Sequence, residues 1–98
     1  MQHFSLDNYV VDVLMPDLVG HDRRPATFIV YLYFLRHAAK GKRDTLSVSL
    51  QTIATKTGLS KSTVQAAIRH LRRRRLLYPA VLATVNDPIR RVLRPWNR

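Results

Sequence analysis

The segment from Ser49 to Leu77, SLQTIATKTGLSKSTVQAAIRHLRRRRLL, constrains the fold more than any other stretch of this chain. It reads as two short helices joined by a tight glycine turn. Counted from Leu50, the apolar or small residues Leu50, Ile53, Ala54, Leu59, Val64, Ala67, Ile68 and Leu71 fall where the inward faces of such a pair must lie. Two helices that cross closely leave room for only a small side chain at the crossing, which Ala54 provides. The turn between them wants a residue tolerant of positive φ, which Gly58 is. Ser60 is placed to cap the second helix by accepting a first-turn amide hydrogen, and Thr63 stands where a full capping box would have Glu or Gln.

On a helical wheel Val64, Ala67, Ile68 and Leu71 share one side of the second helix. Ser62, Ala66, Arg69 and Arg73 centre the opposite side, flanked by Gln65, His70 and Arg72. That outward side carries donors and no acid. The pattern is that of a helix-turn-helix, and a helix lying in the major groove of DNA needs short polar groups near its N-terminus, then Gln or Arg to pair with adenine or guanine. The plainer reading is a helical hairpin whose basic side is solvated; the charge geometry favours the nucleic-acid reading.

The chain has 98 residues, room for one domain, and 46% of them are hydrophobic, so its charge sits on a folded body rather than a disordered tail. Net charge is +11 and the sequence pI about 11.3, which makes a polyanion the natural partner. The charge is uneven. Residues 1–22 hold Asp7, Asp12, Asp17 and Asp22 and no Lys or Arg, whereas residues 23–98, with all 17 Lys and Arg against Asp44 and Asp87, carry +15. The N-terminal segment is therefore expected to face away from phosphate. Glutamate is absent, so the basic residues lack their commonest counter-charge on a helix surface. No cysteine is present, which fits a reducing compartment, and the cytoplasm, in association with the nucleoid, is the expected location. The longest apolar run, Phe28 to Leu35, is too short to span a bilayer, and the acidic start lacks the basic region of a secretory signal, so no membrane role is expected.

From the N-terminus, Ser5 to Met15 is expected to form a short helix capped by Ser5 and stopped by Pro16, although Val10, Val11 and Val13 also suit a strand. Pro16 to Arg24 reads as a loop. A core helix follows over Pro25 to Lys40, with Gly41 placed to end it. Its run from Phe28 to Leu35 is apolar nearly all round and needs cover on more than one side. The N-terminal segment is one available cover. A second copy of the chain is another, giving a homodimer through the N-terminal segment and the core helix, and Tyr31 and Tyr33 would suit such an interface as well as the monomer core. Leu46 and Val48 alternate with Ser47 and Ser49 in a short strand. Leu76 to about Val81 and Ile89 to Arg94 read as two more strands, with Asn86, Asp87 and Pro88 in the turn region between them. Pro79 implies an edge position or an early bend in the first of these.

A helix-turn-helix followed by a β-hairpin is a winged helix, mainly α with a small antiparallel sheet, an α+β fold. One domain over 1–98 is expected: an acidic segment (1–24), the core helix (25–40), the helix-turn-helix (50–75) and the wing (76–96). From about Pro25 to Trp96 the chain resembles the winged helix-turn-helix modules of bacterial transcriptional regulators and of plasmid and phage replication initiators. SLQTIATKTGLSKSTVQAAIRHL and the exit RRRRLL carry the resemblance. Such modules often have glycine just before the two apolar residues that open the wing; here Arg75 stands there, so either Arg75 takes a left-handed conformation or the helix exits differently. The resemblance implies a recognition helix in the major groove, with Ser60, Lys61, Ser62, Thr63, Gln65 and Arg69 entering it, and the wing on the flanking backbone. Gln65 and Arg69 are the expected base readers, and Ser60, Lys61 and Thr63 the groups that position the helix. Arg72, Arg73, Arg90, Arg91 and Arg94 are expected to clamp phosphate, with at least one of Arg90 and Arg91 facing the partner because neighbouring strand residues point to opposite faces.

His3, His21, His37 and His70 are scattered, Glu and Cys are absent, no residues have metal-ligand spacing, and Gly20, Gly41 and Gly58 are too few for a phosphate loop. His21 beside Asp22 reads as a surface or cap pair. No enzyme, cofactor or metal is expected. Double-stranded DNA is the expected partner; the same fold used for protein interaction or dimerisation without reading DNA is the alternative, and RNA binding lacks an aromatic stacking platform.

Overall fold

The computed structural model of the chain describes residues 2–40, 44–79, 83–84 and 88–97. Its elements are two π-helical turns, Val10–Leu14 and Pro16–His21, then α1 (Pro25–Lys40), β1 (Thr45–Ser47), α2 (Leu50–Thr57), α3 (Lys61–Arg73), β2 (Ala83–Thr84) and β3 (Pro88–Arg91). This is an α+β fold with the layout of a winged helix-turn-helix.

Local chemistry sets the helix pair. The Ser49 side chain accepts the Thr52 amide at 3.1 Å to open α2, and Gly58 closes it at φ 78°, its amide bonded to the Ala54 carbonyl at 2.9 Å. Ser60 then caps α3 by accepting the Thr63 amide at 3.1 Å, and the Thr63 hydroxyl lies 2.8 Å from the same oxygen. Ile53 and Ala54 of α2 are buried, as are Val64, Ala67, Ile68 and Leu71 of α3.

At the far end of α3 the chain makes a Schellman turn. The Leu76 amide reaches back to the Leu71 carbonyl (2.9 Å) and the Arg75 amide to Arg72 (3.1 Å), which places Arg75 at φ 57°. The first of the two expected exits is therefore the one adopted. A left-handed backbone costs a side-chain-bearing residue about 1 kcal/mol, and the Arg75 side chain is exposed. Arg75→Gly is expected to raise stability by about 0.5–1 kcal/mol, read as a higher urea midpoint at unchanged slope. An unchanged or lower midpoint would mean that the Arg75 side chain returns in contacts what its φ costs.

The N-terminal segment departs from expectation. Helical structure continues through Pro16 to His21 instead of stopping, and the expected loop over Pro16 to Arg24 is largely helical. Pro16 has no amide, and in an α-helix its ring would collide with the carbonyl four residues back. The wider π turn, bonded from Met15 to Val10 and from Asp22 to Asp17, carries the chain past it. Val10, Leu14 and Leu18 are thereby buried in the same core as Tyr31, Phe34, Ile53, Leu71 and Val92. This segment is the cover that α1 needs.

The sheet is antiparallel in the order β1-β3-β2, with Leu46 opposite Arg90 and Ala83 opposite Ile89. Two expected strands are corrected. Of the first, expected over Leu76 to about Val81, only Leu77 pairs as a single bridge, to Val92; the chain bends at Pro79, which has no amide to donate, and β2 comes later. Residues 80–82 lie outside the described residues, as do Gly41 and the expected turn residues Asn86 and Asp87. Pro88 belongs to β3, opposite Thr84, rather than to the turn. The second strand ends at Arg91 instead of Arg94, with one further bridge at Val92 before the chain turns at Pro95. The Tyr31 hydroxyl donates to the Leu93 carbonyl at 2.7 Å, tying α1 to this exit, and burial pushes its ionisation well above the usual phenol range. Three residues further on, Trp96 stacks on Tyr9 with ring centroids 4.8 Å apart and donates to Asp7 at 2.8 Å.

Candidate nucleic-acid interface

Burying Val64, Ala67, Ile68 and Leu71 leaves Lys61, Ser62, Gln65, Arg69 and Arg73 exposed on α3, with Thr63 and Arg72 half-buried beside them. No acid interrupts this face. Ser60 is exposed, but its oxygen is occupied by capping and lies 3.2 Å from the Ser62 hydroxyl, so its task is first to shape the helix start. Helix geometry directs the earlier amides of that turn outward.

His70 does not flank the outward side. It is 7% exposed, covered by the acidic N-terminal segment, with Nδ1 3.0 Å from the Thr27 hydroxyl and Nε2 2.8 Å from Asp22 Oδ2. A proton on Nε2 faces the carboxylate and leaves Nδ1 to accept from Thr27. Arg74, which follows α3, pairs with both Asp17 and Asp22. The hydrogen bond from His21, reinforced by the nearby His70, holds the Asp22 carboxyl below its usual range against the opposing effect of burial. Asp17, His21 and Asp22 bring ligand atoms within 4.8 Å of one another, yet both carboxylates already face Arg74 or the histidines. Sequence reasoning missed this latch. Its signal was the segregation of acids before residue 23, which had to find cations somewhere.

The wing arginines separate by environment. Arg91 is half-buried, its guanidinium carbon 5.9 Å from the Tyr78 ring centroid. Arg94 is committed to Asp44, Nη1 to Oδ1 at 2.5 Å, and is not a free cation. Arg90 is 7% exposed rather than a surface clamp, and its Nη1 donates to the Val48 carbonyl at 3.2 Å. Its position opposite the buried Leu46 turns it inward, toward α3. Gln65, Arg69, Arg72 and Arg90, assigned from sequence to separate tasks, line one cleft.

A family model described as a helix-turn-helix domain matches residues 24–77, more than half of the chain. The chain belongs to that helix-turn-helix family. No curated protein and no solved structure matched it. Membership suggests DNA binding, and the match covers α1, α2 and α3 while leaving out the N-terminal segment and β3. Among the described residues no helix is long and apolar enough to cross a membrane.

Proposed function

We propose that this chain binds double-stranded DNA sequence-specifically, as a transcriptional regulator or replication-initiator module at the nucleoid, with α3 in the major groove and the β2–β3 wing along the backbone. The observation that carries the reading is the acid-free exposed face of α3, where Lys61, Ser62, Gln65, Arg69 and Arg73 stand clear of the core. Gln65 and Arg69 read base edges; Ser60, Lys61, Ser62 and Thr63 position the helix; Arg72, Arg73 and Arg91 hold phosphates. The role is binding rather than catalysis, and residues 1–98 act as one domain.

Oligomeric state belongs to the same reading. Phe4, Tyr9, Val11, Val13, Met15, Val19 and Ile29 account for all but Tyr78 of the exposed large apolar side chains among the described residues. Val11, Met15 and Val19 lie beside the buried Val10, Leu14 and Leu18, so a second copy seated there makes a homodimer through the N-terminal segment and α1, and the target site is then a palindrome.

Selection from random-sequence duplexes tests both parts. An enriched palindromic motif is expected, bound about a thousandfold more tightly than random duplex at physiological salt, with Arg69→Ala or Gln65→Ala narrowing that gap about tenfold or more. Sedimentation should show a concentration-dependent dimer that Met15→Lys abolishes. No enrichment, together with retained binding to an acidic protein, would favour the interaction-module reading.

A further inference from the structure

The cleft between α3 and β3 is lined by Leu50, Gln65, Ile68, Arg69, Arg72 and Arg90, with a volume of about 340 Å³. Three of these six residues are arginines, and no acid lines the cleft among the described residues. Arg90 is more than nine-tenths buried, yet its Nε has no hydrogen-bond partner, and neither does the buried Nε of Arg72. Desolvation lowers the proton affinity of Arg90, and the Arg72 charge works in the same direction. Two guanidinium groups that repel each other at the edge of an apolar floor, each with an unused donor, are an expensive arrangement unless an anion joins them. Elsewhere Arg94 has Asp44 and Arg74 has Asp17 and Asp22, while the half-buried Arg91, whose Nε also lacks a hydrogen-bond partner, at least faces the Tyr78 ring; the cleft alone brings two such guanidiniums together.

We infer that this cleft is a binding site for a single phosphate group, held between the Arg72 and Arg90 guanidiniums with Arg69 and Gln65 at its mouth. Arginine suits the task because its planar fork presents paired N–H donors to a phosphate's oxygens. Leu50 and Ile68 supply a low-dielectric floor that strengthens those bonds. The group comes either from a backbone phosphodiester of bound DNA, which rests on the proposed function, or from free phosphate, which does not. In the second case occupancy engages Arg69 and Gln65 and so competes with base reading.

The test uses the full chain and follows the arginine Nε–H resonances by NMR. Inorganic phosphate, added against chloride at matched ionic strength, is expected to shift Arg72 and Arg90 saturably while leaving the exposed Arg73 unmoved. Arg72→Gln, which spares the Arg90 bond to Val48, should weaken that saturation about tenfold. Equal shifts at every arginine, no shift at all, or an unchanged affinity in Arg72→Gln would overturn the inference. A second arm adds the selected duplex. Displacement of phosphate with the same two resonances shifted identifies a DNA phosphodiester as the source; a duplex that binds without disturbing them identifies free phosphate. Failure of any duplex to bind, with saturable phosphate shifts retained, rejects the DNA reading and leaves the site standing.

Discussion

Leu18→Ala is expected to destabilise the chain by about 3–5 kcal/mol, because a fully buried leucine removed from a packed core loses its transfer free energy and leaves a cavity. Leu18 is 0% exposed and sits where Pro16–His21 packs on α1. For a domain of this size the loss corresponds to a midpoint lower by roughly 15–30 °C. Deleting residues 1–22 goes further: it strips Val10, Leu14 and Leu18 together, each contributing about 1.5–3 kcal/mol of burial, and takes Asp22 away from His70 and Arg74. Typical domain stability is only about 5–15 kcal/mol, so the truncated chain should lose its cooperative thermal transition and its dispersed amide NMR spectrum. Retention of both would show that the segment decorates the fold rather than completing it. The point has practical weight because the family match begins at residue 24, and a fragment cut there removes part of the core.

What could be read in advance divides along physical lines. The α2–turn–α3 unit was legible almost residue by residue, because its signals are local: Ser49 and Ser60 cap their own helices and Gly58 supplies its own left-handed turn. Arg75 was legible as one of two outcomes for the same reason. The N-terminal segment was misread because Pro16 stops an α-helix but not a chain whose turns widen to π geometry under tertiary packing. His70 was misplaced because the helical wheel puts it at the margin between faces, and only the arrival of Asp22 and Thr27 decides which side it joins. For Arg90 and Arg91, strand alternation required opposite faces without choosing between them; the register against β1, with Leu46 opposite Arg90, made the choice. The convergence of Arg69, Arg72 and Arg90 on one cleft depends on how β3 docks against α3. That is a long-range contact with no local trace.

The affinity of the chain for its selected duplex should fall about 150-fold between 50 and 200 mM monovalent salt, the loss expected when about four phosphates are neutralised on B-DNA. On the proposed reading Lys61, Arg73 and Arg91 meet one phosphate each, from α3 and the wing strand, and Arg72 and Arg90 share the fourth. The paired arginines provide the internal control. Arg94 is bound to Asp44 and Arg74 to Asp17 and Asp22, so releasing either for phosphate would require breaking an existing ion pair. Arg73→Ala should therefore reduce the slope of log affinity against log salt by about 0.9 without changing sequence preference, whereas Arg94→Ala should leave the slope nearly where it was. Arg69→Ala should behave differently again, weakening the selected duplex by about 1–3 kcal/mol more than random duplex because a bidentate base contact is lost. These three responses separate positioning, structural and reading roles in one titration series. If Arg94→Ala lowers the slope as much as Arg73→Ala does, net charge alone governs binding and the exposed face of α3 has no privileged place in it.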